Sequence, residues 1–363
     1  MKPLLILICL VFTIPTGHAK SIAIIGDSIS SGGGAHPNLA LDQEALAKVF
    51  EGQVVITPDA GYLKKLEELG FTFASANQPV RLPLSKREYK TPLSWWFESL
   101  WLSFSSRFLD AEEYSWGYLL AREMGITENQ IYIAAQDGAA MMSLENQIDR
   151  VLDIDQGRLP EIVMIFYTGN DMCGLTPDML TTPEEYGETL AAGLQYLRLN
   201  GEAASSGTKV YVVDPISMLQ IVSRPSIQEK VVRYRGRDMT CRDLQTSNFG
   251  PEPQVTPATD EVSAILNFFI KPTQQFCPSL FAMHKEPKIW GPVLSNRITG
   301  YREQIAQVVD NANKLAGGNI VIRHIQSTRS VIFEGDDMAN DCFHIGLQGQ
   351  AKIAKSVMDG MKL

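Results

Sequence analysis

Four short stretches of this 363-residue chain carry side chains that together suit acyl transfer: Ser28, Gly138, Asn170, and the pair Asp341 and His344. Such chemistry needs a nucleophile, a base to take its proton, a group that orients the base, and donors for the oxyanion. Ser28 supplies a hydroxyl, and His344 can accept its proton. Asp341 lies three residues before His344, so one turn of chain can bring its carboxylate to the imidazole and fix the tautomer. The backbone N–H groups of Ser28 and Gly138, with the Asn170 side-chain amide, are three candidate oxyanion donors. Each stretch alone has an ordinary reading. A serine after a strand caps a helix, Asn-Asp after a strand makes a turn, and a histidine before a C-terminal helix sits on the surface. Their joint occurrence is what points to chemistry.

The elements that must position these residues are legible as alternating strands and helices. Ser28 follows Ile22-Ala23-Ile24-Ile25-Gly26-Asp27, a short β-branched run that reads as a buried strand ending in a sharp turn. Further strands are expected at 131–135, 162–167, 209–214 and 319–325. Helices are expected at 115–124, with Gly125 as a C-cap, at about 143–152, 184–199 and 295–315, and from 347 onward. This alternation with apolar strands predicts a parallel sheet covered by helices on both faces. The first three strands end in glycine-bearing polar turns. They should therefore open on one rim, where open α/β sheets bind ligands.

Two stretches interrupt the alternation, 36–114 and 215–296, and both read as insertions. In the first, Leu93, Trp96, Phe97, Leu100, Trp101, Phe104 and Phe108 recur at spacings of three and four, one helical face. It suits a helix packed on the core or a lid that walls an acyl site, with Trp96, Trp101 and Phe104 as candidate substrate contacts. The second reads as irregular and stapled by disulfides. Ser31-Gly32-Gly33-Gly34 is not a phosphate loop, since no Lys-Ser/Thr follows, and a flexible loop open to substrate is expected instead. His36 beside it reads as a surface loop residue.

Bulk properties narrow the classes. Hydrophobic residues make up 45% and charged residues 20%, enough for a sizeable core. A formal net charge of -9 argues against nucleic acid, or an anionic membrane surface held by charge alone. Lys2, an apolar run over 4–14 and Gly17-His18-Ala19 read as a cleaved secretory signal, residues 1–19, too short to span a bilayer. Residues 20–363 then form one domain in a periplasmic or extracellular location.

Four cysteines remain outside that signal, Cys173, Cys241, Cys277 and Cys342, which fits disulfides in an exported chain and allows three connectivities. Cys241 with Cys277, inside the second insertion, is the expected pair. A bridge between Cys173 and Cys342 is also conceivable, because each lies beside a candidate site stretch. No C-x-x-C pair or zinc spacing occurs, so no metal and no cofactor is expected.

Taken in order, Gly26-Asp27-Ser28, Gly138, Gly169-Asn170-Asp171 and Asp341-x-x-His344 resemble the four blocks of the SGNH hydrolase superfamily, the GDSL esterases and lipases. The resemblance covers the sheet framework, about 21–138, 162–214 and 319 to the end. It implies a flavodoxin-like three-layer α/β/α sandwich with a five-stranded parallel sheet, and a serine esterase mechanism without metal. Ser28 would be the nucleophile, His344 the base and Asp341 its orienter, with Ser28, Gly138 and Asn170 as oxyanion donors. The other main serine-hydrolase signature, G-x-S-x-G, is absent from the sequence. Asn170-Asp171-Met172-Cys173 and Asp341-Cys342-Phe343-His344 look like the phospholipase B and acyloxyacyl hydrolase branch.

The expectation is an exported esterase acting on acyl esters of lipids or on smaller esters, with transient contact to a membrane or micelle surface. A carbohydrate O-acetyl esterase, its aromatics stacking on sugars, is the alternative within the same chemistry. A silent binding module on the same fold should have lost Ser28, His344 or an oxyanion donor, and all are present.

Overall fold

The structure, a computed structural model, describes residues 20–35, 114–234, 237–246, 277–314 and 319–361. The expected signal segment, His36, and the aromatic face at 93–108 with Trp96, Trp101 and Phe104 lie outside the described residues.

The sheet is built from strands β1 (Ile22–Gly26), β2 (Ile131–Ile133), β3 (Ile162–Phe166), β4 (Thr208–Val213) and β7 (Ile320–Ile325), in the order β2-β1-β3-β4-β7, all parallel. β1 and β3 are buried along their whole length, which is why they read as unbroken β-branched and apolar runs. β2 sits at the edge and is half-buried over three residues, shorter than its apolar run suggested. Counted within this sheet the order is 2-1-3-4-5, so the chain switches direction of growth between β1 and β3. In such sheets the crevice opens at that point.

Helices close both faces. α1 (Ser28–Ser31) is a single turn directly after β1. α2 (Trp116–Glu123) packs against the C-terminal α10 (Leu347–Met361), while α3 (Leu144–Ile154), α4 (Pro183–Asn200) and α9 (Pro287–Lys314) pack together as the other layer. α4 starts where sequence dictates: Thr182 Oγ1 accepts the Glu185 N–H, the Glu185 carboxylate accepts the Thr182 N–H at 2.8 Å, and Pro183 occupies the first turn. α9 begins eight residues earlier than the expected start near 295, and it runs through Pro292. Proline so near a helix start removes few backbone bonds, and Trp290, Leu294, Ile298, Tyr301 and Ile305 carry one buried face through it.

The described part of the stretch after β4 holds more regular structure than expected. It contains single-turn helices α5 (Gln220–Ser223) and α6 (Pro225–Gln228), then an antiparallel hairpin of β5 (Val231–Tyr234) and β6 (Arg237–Thr240). α7 (Cys241–Thr246) and α8 (Pro278–Ala282) complete its described part. Elements of four to six residues are too short for a hydrophobic period to register, which is why the sequence reads as irregular there.

The end of β1 is fixed by a side chain that behaves like a neighbouring strand. Buried Gln147 of α3 accepts the Gly26 N–H at 2.8 Å and donates to the Gly26 carbonyl at 2.9 Å. Gly26 itself must be glycine, since a Cβ there would lie 2.1 Å from the Phe166 carbonyl. Replacing Gln147 by leucine strands the buried Gly26 N–H, at a cost of about 1–3 kcal/mol, and leaves the Gly26 carbonyl with the Gln136 N–H alone, a loss of about 1 kcal/mol. We expect Gln147→Leu to lower the melting temperature by roughly 3–6 °C, read by circular dichroism.

Candidate active site

Asp27, at the turn after β1, organises the rim. Its Oδ1 accepts the Ile29 N–H at 3.0 Å, capping α1, and its Oδ2 accepts the Thr168 N–H and hydroxyl at 2.7 Å each and the Gly169 N–H at 3.2 Å. Ser28 thus begins a short helical turn, its N–H at a position where helix geometry supplies no acceptor. Its carbonyl accepts the Gly33 N–H at 2.7 Å.

The glycine run after α1 allows close packing on the site. Gly32 (φ 93°) and Gly34 (φ 72°) take left-handed conformations. A Cβ on Gly33 would lie 3.2 Å from Ser28 Cβ and 3.4 Å from His344 Cδ2, and one on Gly34 only 2.7 Å from His344 Cβ. Ser28 and the His344 imidazole therefore flank the same bare backbone. The close approach that these glycines permit is to His344.

Asp341 and His344 lie on one tight loop, closed by an antiparallel bridge between Met338 and Ile345. Asp341 Oδ1 accepts the N–H groups of Phe343 and His344 at 3.0 and 2.9 Å, and Oδ2 lies 2.5 Å from His344 Nδ1. With Nδ1–H donated to the carboxylate, the neutral ring keeps its lone pair on Nε2. Burial opposes the charge on both groups. The partner's charge and the shared hydrogen bond outweigh it, holding the Asp341 carboxyl below its ordinary range and the His344 imidazole above its own, with Asp137 and Asp27 adding to the rise.

The remaining two stretches meet each other. Asn170 Nδ2 donates to the Ala139 carbonyl at 2.9 Å, beside Gly138, and an amide nitrogen carries a second N–H for an oxyanion. Gly138 sits at φ 70°, and a Cβ there would meet nothing within 4 Å, so the backbone conformation rather than crowding by the protein requires glycine. Ser31 Oγ lies 2.9 Å from Asp137 Oδ1, tying this loop to α1. Asp171 holds it from behind, its carboxylate accepting the Met141 N–H at 3.0 Å. Burial pushes the Asp171 carboxyl up to about 6.

All the described site candidates, Ser28, Gly138, Asn170, Asp341 and His344, thus converge on one rim. Sequence reasoning passed over the tie that Asp27 makes to Thr168 and Gly169, Asp171, and Gln350 of α10, whose amide donates to the Ile29 carbonyl at 3.1 Å and accepts the Trp116 N–H at 2.9 Å. Asp27 lies inside the Gly-Asp-Ser triplet and was readable there as a cap; Gln350 carries no local signal. A second aspartate–histidine pair, Asp214 with His324 at 2.7 Å, ties β4 to β7. Arg329 shares its carboxylate, and Gln326 meets the other ring nitrogen, so neither group is poised as a base.

The disulfides pair differently from expectation. Cys173 is bonded to Cys277 and Cys241 to Cys342, in place of Cys241 with Cys277 or Cys173 with Cys342. Cys241 opens α7 beside the Asp341–His344 loop, and Cys277 precedes α8 beside the loop after Asn170. Their Cα atoms approach those partners to 5.3 and 4.4 Å, within bridging range. The topology sets that proximity, and sequence separation does not report it.

Fold and rim together have the layout of an ester-processing α/β protein. The family model of the GDSL-like lipases and acylhydrolases matches residues 22–357, and the chain belongs to that family, whose members act on esters. The match covers the sheet framework and does not single out the phospholipase B branch. No curated protein matches the chain.

The coupled pair carries a pH signature. A raised histidine pKa contributes stability that is lost as pH rises through it, and a lowered aspartate pKa contributes stability that is lost as pH falls through it. The pair therefore stabilises the fold between the two. We expect the His344 ring protons, followed by NMR, to titrate above the ordinary imidazole value, and to fall back toward or below it in Asp341→Asn. An unchanged titration in that variant would contradict the pairing.

Proposed function

We propose that this protein is an exported serine esterase that cleaves acyl esters of lipids, with Ser28 as nucleophile. His344 Nε2 takes the Ser28 hydroxyl proton as Oγ attacks the ester carbonyl. Asp341 holds the tautomer and stabilises the imidazolium. The Ser28 and Gly138 N–H groups and the Asn170 amide receive the negative charge on the tetrahedral oxygen. Collapse expels the alcohol with the proton from His344, leaving an acyl group on Ser28. Water, deprotonated by His344, then releases the acid and returns the proton to Ser28.

The observation that carries this reading is the packing of the Asp341-bound imidazole against the Gly33 backbone that also carries Ser28. Lipid rather than acetyl substrates are favoured by apolar side chains on the same loops. Met142, following the Gly138 loop, is 80% exposed, and Leu175 and Met179, following Asn170, are 68% and 61% exposed. Such side chains suit contact with a lipid surface that presents the ester. The resemblance of the Asn170 and His344 blocks to the phospholipase B branch points the same way.

Export is supported by two disulfides, which form and persist in oxidising compartments. Among the described residues, no helix is long and apolar enough to cross a membrane. The reading includes removal of residues 1–19 and a single domain from 20 to 363.

Hydrolysis of p-nitrophenyl esters from acetate to palmitate, with Ser28→Ala as control, tests it. We expect the variant to lose about three or more orders of magnitude in kcat, and the wild-type chain-length optimum to lie at medium or long acyl chains. Acetate as the best substrate would shift the reading to a carbohydrate O-acetyl esterase. No turnover, in folded protein that also resists an active-serine phosphonate, would leave a binding module.

A further inference from the structure

The Asp341–His344 loop is held from outside by the stretch between β4 and α9. Cys342, at the centre of Asp341-Cys342-Phe343-His344, has φ 58°, a left-handed conformation that a residue with a Cβ holds only under constraint. Two constraints act on it. Its side chain is bonded to Cys241, the first residue of α7, and its carbonyl accepts the Gln245 Nε2–H at 2.8 Å from the other end of the same helix. Both sulfur-bearing residues and Gln245 are buried, with Val232 and Leu244 packed around the disulfide.

Gln245 is oriented in turn. Gln228 Nε2 donates to Gln245 Oε1 at 2.7 Å, and His284 Nε2 lies 2.9 Å from the same oxygen, with burial lowering the His284 pKa toward the neutral ring. An oxygen bound by two donors turns the amide nitrogen toward the carbonyls of Cys342 and Ile221. The amide therefore cannot flip without losing its bonds.

We propose that Gln245, acting with the Cys241–Cys342 bridge, is a positioning residue for the proposed catalytic pair: it fixes the Cys342 peptide so that His344 stays aligned with Ser28. The inference rests on the esterase reading above. Gln245 touches neither substrate nor the reacting atoms, and acts only through the backbone between Asp341 and His344. A tilt of that peptide displaces the imidazole while leaving Ser28, Gly138 and Asn170, which lie on other strands' loops, in place. Turnover should therefore suffer and substrate binding should not.

The test compares wild type with Gln245→Leu, which removes the donor, and Gln245→Asn, which keeps an amide but shortens its reach. Each is assayed on the best p-nitrophenyl ester below its unfolding transition, with folded sites counted by circular dichroism. The expected result is kcat lower by about 10–100-fold with KM within about threefold, the scale of a misplaced catalytic group. The acid limb of kcat should shift as well, because the His344 imidazole moves relative to Asp341, Asp137 and Asp27, the carboxylates that face it.

Opening the bridge with paired Cys241→Ser and Cys342→Ser substitutions should give the same split. A lower melting temperature with kcat and its acid limb unchanged in Gln245→Asn would overturn the proposal and leave Gln245 purely structural. If Gln245→Leu does not fold, Gln245→Asn decides alone. Absence of ester hydrolysis by the wild type is a different outcome, and it defeats the esterase reading itself.

Discussion

One buried carboxylate, Asp27, holds the rim together at the point where the sheet's order reverses. β1 and β3 run side by side in register from Ile22 opposite Ile162 to Gly26 opposite Phe166, and beyond them their loops must part to make a crevice. Asp27 spans that divergence, capping the turn that begins at Ser28 with one oxygen and gathering Thr168 and Gly169 with the other. Burial pushes its carboxyl up, and these hydrogen bonds only partly offset the desolvation. A group whose pKa is raised by folding costs stability as pH rises through that value. Asp27 is therefore a geometric investment: it sets the distance between the serine loop and the asparagine loop.

The same logic extends around the crevice. Asp171 repeats the device one loop further on, a buried carboxylate placed on the N–H of Met141, where burial and, to a smaller extent, the charge of Asp27 disfavour its ionisation. Gln147 and Gln350 do comparable work without charge, one on Gly26 and one bridging Ile29 to the segment after His344. Loops ordinarily lie at the surface and move. Here the loops that carry the candidate residues are tied to each other by the side chains of Asp27, Ser31, Asp171 and Gln350, and by two disulfides to the stretch that follows β4.

What the sequence disclosed follows the range of the interactions involved. Buried strands and long helices announce themselves through local periodicity, so β1, β3, β4 and α4 fall within a residue or two of expectation. The candidate residues were also legible, because Ser28, Asn170 and the Asp341–His344 spacing sit at strand ends or on one turn, where local geometry decides their placement. The disulfide pairing was not, since Cys241 and Cys277 are consecutive cysteines in the sequence yet are drawn to different loops of the rim. The hairpin of β5 and β6 was hidden by its brevity, and α9 by Pro292, a local stop signal overridden by a continuous buried face. Gln147, Gln245 and Gln350 were invisible: a glutamine on a helix is ordinarily exposed, and only tertiary structure shows what its amide meets.

That the invisible residues are amides has a physical basis. A buried hydrogen bond adds only about 1 kcal/mol net to stability, whereas an unpaired partner costs more than that. An apolar core can thus hold the sheet without them, as Trp116, Phe166 and Tyr186 do. It cannot choose among loop conformations of similar packing. A glutamine amide offers one acceptor and two donors on a flexible stem, carries no charge to desolvate, and is satisfied only when the backbone groups it serves are all in place. Placed where loops meet, it penalises every arrangement but one. The left-handed Cys342 peptide is the sharpest case: its conformation is locally unfavourable, and the bridge and the Gln245 amide together make it the one the loop adopts. The cost of holding that turn is met outside the sheet, in a stretch whose sequence shows no periodicity of its own.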